Sequence, residues 1–154
     1  MQSFHYIYEF LQKFSKKHFL EIAAISKTFG KPIKKKAVLF EFETFFLFQI
    51  AVIMTVHQSH SSSETTKTLF CDLIKAVEAK YQETVSTDCR AGEVILSRIE
   101  QYQELLTESD KVLPDSVIKR FSLNVNGAAN GKIKTNYPII IDKMLGDCAG
   151  SSII

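Results

Sequence analysis

Apolar or aromatic side chains, with one histidine among them, recur every three or four residues through the first part of the chain, at Phe4, Ile7, Tyr8, Leu11, Phe14, His18, Ile22, Ile25 and Phe29. This spacing puts them on one face of a helix of about seven turns. Lys13, Lys16, Lys17 and Glu21 fall mostly on the other face. Gly30 and Pro32 supply stop and restart signals, so a second helix is expected to begin near Pro32 or Ile33.

The second helix lacks a polar face. Residues 37–56 read AVLFEFETFFLFQIAVIMTV, and the polar run SHSSSE breaks the pattern after His57 or Gln58. A third helix, capped by Ser62 or Ser63 with Glu64 in its first turn, carries the stripe Leu69, Phe70, Leu73, Ile74, Val77, Tyr81. Thr87 or Asp88 is the expected cap of a fourth, with Cys89, Gly92, Ile95, Leu96, Ile99 and Tyr102 on its inner face and Arg90, Glu93 and Arg98 outside.

Leu113-Pro114-Asp115 opens a short fifth helix holding Val117, Ile118 and Phe121. The Asn- and Gly-rich run over 124–136 has little to bury and reads as a loop. Residues 137–146 are expected to form a helix rather than a strand, because Pro138 suits a first helical turn and no partner strand exists elsewhere. The pattern predicts an all-α fold, a single domain over 1–154 with five or six helices around the strongly apolar one.

That apolar helix invites comparison with a membrane anchor. A span needs about 20 largely apolar residues, and 37–56 reaches that length only by including Glu41 and Glu43. The charge-free part, 44–56, is thirteen residues long, in the range of a buried core helix. Lys34, Lys35 and Lys36 do mimic a positive-inside flank. Several amphipathic helices that need a common apolar partner favour the core reading, and membrane insertion is the less favoured alternative.

Composition supports a folded chain of about one domain, with 154 residues, 45% hydrophobic and 23% charged. The net charge of +2 is too small to argue for nucleic acid, although the first 60 residues carry eight lysines against four glutamates. Cys71, Cys89 and Cys148 form no CxxC pair, which suits a reducing compartment and a cytoplasmic location. The first residues lack the basic-then-apolar order of a signal peptide, so export by that route is not expected.

Motifs that would fix a chemistry are lacking. His57, His60 and Glu64 are the nearest approach to a metal-ligand set, but no HExxH or ExxH pattern accompanies them and no metal is expected. NGAANGK is one residue short of a phosphate loop and lacks its Ser or Thr, so no cofactor is indicated. His18 reads as a structural histidine within an apolar stripe, and Cys71 and Cys89 as small core residues. Glu41 and Glu43, two residues apart, face different ways and form no acid pair. The simplest expectation has them projecting to solvent beside nearby lysines.

Twelve phenylalanines, five of them at positions 40, 42, 45, 46 and 48, suggest more aromatic surface than a core can hold. The first functional expectation is therefore a small interaction module that self-associates or docks a protein partner through aromatic surface. A second is a binder of an apolar ligand or lipid, with Lys34, Lys35 and Lys36 holding an anionic head group and Glu41 and Glu43 nearby. Further alternatives are a membrane-associated protein anchored by 37–56 and an enzyme using Glu41 or Glu43 with His57 or His60.

Overall fold

A computed structural model describes residues 4–28, 35–57, 63–85, 88–107, 115–129 and 136–149. They form six helices and, among the described residues, no strand: α1 (Phe4–Thr28), α2 (Lys35–His57), α3 (Ser63–Val85), α4 (Ala91–Thr107), α5 (Asp115–Ala128) and α6 (Tyr137–Ala149). The all-α bundle expected from periodicity is observed, and 137–146 is helical.

α2 packs against all five other helices. Every residue from 40 to 50 is buried, which accounts for the missing polar face: each direction around this helix meets another apolar stripe. Among the described residues no helix is long and apolar enough to cross a membrane. The aromatic side chains of α2 interlock with those of its neighbours. Phe45 lies 4.3 Å from Phe121 of α5 and meets the Tyr102 ring of α4 nearly edge-on at 5.1 Å, while Phe42 meets Phe121 at 5.3 Å and 88°. Offset and edge-to-face pairs of this kind contribute beyond their burial.

Three local expectations need correction. The loop over 124–136 is helical in its first part, since α5 runs to Ala128. Val125 continues the buried stripe of Val117 and Phe121, and the two asparagines find partners. Asn124 Nδ2 donates to the Tyr102 hydroxyl at 2.9 Å, and Asn126 Oδ1 accepts from Tyr137 at 3.0 Å. Residues 130–135 lie outside the described part.

α4 begins at Ala91, after Cys89. Two of its first amides are met by side chains of α3: Gln82 Oε1 accepts from Ala91 N and Glu78 Oε2 from Gly92 N, both at 2.7 Å. Glycine at 92 permits this approach, since a Cβ there would stand 2.4 Å from Glu78 Oε2. Cys71, placed among the core residues by its spacing, is exposed.

His18 reads from the sequence as a structural histidine. It is fully buried, and its Nε2 lies 2.7 Å from Asp147 Oδ2, tying α1 to α6.

Candidate functional site

Glu41 and Glu43 stand on opposite sides of α2, and neither projects to solvent. Their relative exposures are 4% and 1%, which overturns the expectation of solvated carboxylates beside nearby lysines. The physical reason is that α2 is enclosed already by its second turn, so each carboxylate is matched by a polar group from another helix. A buried carboxylate persists only when such partners are present.

Glu41 faces α4. Arg98 Nε donates to Glu41 Oε1 at 2.9 Å and lies 3.4 Å from Oε2. Burial pushes the Glu41 carboxyl above the usual carboxylate range, opposed by the adjacent Arg98 guanidinium. Sequence periodicity assigned Arg98 to the outer face, yet its side chain is only 29% exposed. A usable signal existed in its position three residues after Ile95 and four before Tyr102, at the border of the buried stripe.

Glu43 faces α1 and α3. Gln12 Nε2 and the Tyr81 hydroxyl donate to its two oxygens, and Lys80 Nζ lies 3.4 Å from Oε2. Lys80 also donates to Gln12, closing a polar cluster that joins three helices. Burial raises the Glu43 carboxyl to about 7, against the pull of Lys80 and of the Gln12 hydrogen bond. The phenol of Tyr8 is raised as well, by burial and by the negative charge of Glu43.

The two carboxylates differ in access. Beside Glu41, a cleft of ≈ 330 Å³ opens where the beginning of α2 meets α3, α4 and the end of α5. Phe40, Val85, Val94, Leu123 and Ala128 form its apolar walls. Glu41, Arg98, Asn124 and Thr84 are the hydrogen-bonding side chains among its lining residues. Of these, Asn124 is already held by Tyr102, whose own phenol is raised by burial and by the Glu41 charge. A wider depression of ≈ 700 Å³ between α5 and α6, bordered by Asp115, Ile118, Lys119, Ser122, Tyr137 and Pro138, is more open to solvent and a poorer enclosure.

Other sequence candidates take no part in this site. Lys35 and Lys36 are exposed in the first turn of α2, and Lys34 lies outside the described residues. His57 ends α2, so along one continuous helix it stands about 24 Å from Glu41 and about 21 Å from Glu43. That distance removes a Glu41–His57 or Glu43–His57 catalytic pair. His60 and the side chains of His57 and Glu64 lie outside the described part, and no metal-binding group of His, Cys, Asp or Glu occurs among the described residues.

Phe40, Phe42, Phe45, Phe46 and Phe48 are at most 2% exposed, so the side chains that motivated an aromatic docking surface are in the core. No family model, curated protein or solved structure matches the chain.

Proposed function

We propose that this chain binds a small, mainly apolar ligand in the cleft between α2, α3, α4 and α5. The observation that carries the reading is the cleft itself: apolar walls drawn from four helices around a few convergent polar groups, one of them a carboxylate with a raised pKa. This combination is the usual form of a small-molecule site. Its ≈ 330 Å³ corresponds to about eleven water volumes, which suits a ligand of roughly ten non-hydrogen atoms.

The chemistry present suits recognition. A guanidinium, a carboxylate and an amide supply charge and hydrogen bonds at one end of an apolar surface. Bound ligand would bridge four helices, so binding is expected to raise thermal stability by mass action. The experiment is native mass spectrometry of purified protein, combined with an NMR titration using short amphiphiles. A small adduct, or shifts confined to residues such as Val94, Leu123 and Ala128, supports the reading. Both should disappear in Val94→Trp, which fills the cleft while retaining the helical circular dichroism. No adduct, together with no shift at these residues for any amphiphile, overturns it.

A further inference from the structure

Resting on that cleft-binding reading, we infer that the preferred ligand is a monocarboxylate with a short apolar chain, held by the outer fork of Arg98. The guanidinium is half used. Its Nε is occupied by Glu41, while its two Nη groups have no partner among the described residues. Arg98 lines the cleft and keeps 29% of its side-chain surface, so this fork is available to something entering from solvent. A planar pair of N–H donors is the geometric complement of a carboxylate.

Glu41 acts as a positioning residue in this arrangement. By accepting from Nε it restricts the orientation of the guanidinium, so less freedom is lost when a ligand carboxylate takes the Nη edge. The apolar part of the ligand would lie along Phe40, Val94 and Leu123.

The charge balance selects a monoanion. Glu41 is the one acid among the residues lining the cleft and already offsets Arg98. Arg120 is close enough to act on the Tyr102 phenol, and Lys36 is exposed one residue before Ala37, which lines the cleft. The local excess of positive charge is therefore modest. It suits a carboxylate better than a phosphate dianion, whose second charge would have no dedicated partner.

Isothermal titration calorimetry at pH 7.5 with octanoate, 1-octanol and octyl phosphate tests this assignment. Wild-type protein is expected to bind octanoate at least tenfold more tightly than 1-octanol or octyl phosphate. Arg98→Lys keeps the charge but loses the fork, and is expected to reduce the preference over 1-octanol to threefold or less. Glu41→Gln retains an acceptor for Nε and removes the competing charge, so octanoate affinity should rise threefold or more, an effect a merely structural Glu41 would not produce.

Equal binding of octanoate and 1-octanol would overturn the carboxylate assignment while leaving the cleft reading in place. Tighter binding of octyl phosphate would overturn it in favour of a different anion. Failure of all three ligands to bind would overturn the cleft reading and this inference together. Should Arg98→Lys unfold, the Glu41→Gln result decides: unchanged or weaker octanoate binding in that variant counts against the inference.

Discussion

The Tyr81 hydroxyl donates to the Glu43 carboxylate between α3 and α2, at a point where each residue is only 1% exposed. This bond, with Gln12 and Lys80 around it, lets a carboxylate reside inside an otherwise aromatic bundle. The cluster is nonetheless an expensive one, because burial outweighs its partners and the carboxyl rises to about 7.

Its pH dependence follows from that shift. The Glu43 pKa of the folded protein is raised above the ordinary value of 4.5, so the native state holds this proton more tightly than the unfolded chain. The associated stability is fully present below about 4.5 and is lost as pH rises through about 7. Glu43→Gln removes the titration. Urea unfolding of both proteins from pH 4.5 to 8 should show the difference moving in the variant's favour by about 3 kcal/mol over that range. Parallel curves would show that Glu43 titrates normally.

Tyr81→Phe keeps the ring against Phe40 and deletes only the hydroxyl donor. The expected cost is about 1 to 3 kcal/mol at pH 7.5, since a buried carboxylate oxygen loses a partner. The Glu43 carboxyl should titrate at still higher pH, measurable by carbon-detected NMR of its side chain. A Glu43 titration unmoved in this variant would mean that the hydroxyl does not favour the charged carboxylate.

Arg98→Met leaves Glu41 buried and unpaired. The loss should be about 3 kcal/mol, the lower end for a broken buried ion pair, because Arg98 is partly open to water. Combining it with Glu41→Met should recover most of that loss, because two apolar side chains have no charge to desolvate. Additive losses in the double variant, read by denaturant titration, would contradict a direct coupling of the two residues.

Phe45→Ala should be among the more damaging core substitutions, at about 3 to 5 kcal/mol. Phe45 is fully buried between Phe121 and Tyr102, and rigid rings on two other helices cannot collapse fully into the space left behind. Thermal unfolding followed by circular dichroism gives the value. A loss below about 1 kcal/mol would imply a far more adaptable core than these ring contacts describe.

Glu78→Ala tests the unusual start of α4. It removes the acceptor for Gly92 N, as well as the Arg90 ion pair at 3.1 Å. A loss of about 1 kcal/mol is expected, the usual value of a helix cap. Amide exchange should accelerate at the first turn of α4 before the rest of that helix. Uniform acceleration would place the effect elsewhere.

The order of the helices was legible, and their number to within one, because helical phase is a local property. Phe4, Ile7 and Leu11 define one face of α1 whatever packs against them, and Val117 and Phe121 do the same for α5. Asn124 and Gly127 misled the reading of α5, since their low helix propensity was overridden by the Tyr102 hydrogen bond and by buried Val125. Two acceptors at the start of α4 were hidden for a related reason: Gln82 and Glu78 belong to the preceding helix.

By itself, the sequence determined an all-α chain with one helix too apolar to have a solvent face, and placed two carboxylates on different sides of that helix. Which neighbour would meet each carboxylate was decided only when the helices packed. Gln12 and Glu43 are 31 positions apart, Glu43 and Tyr81 are 38, and Glu41 and Arg98 are 57. No local periodicity encodes such pairings. The same packing buried the five phenylalanines and left the cleft beside Glu41, because four helices of unequal reach converge there without filling the space between them.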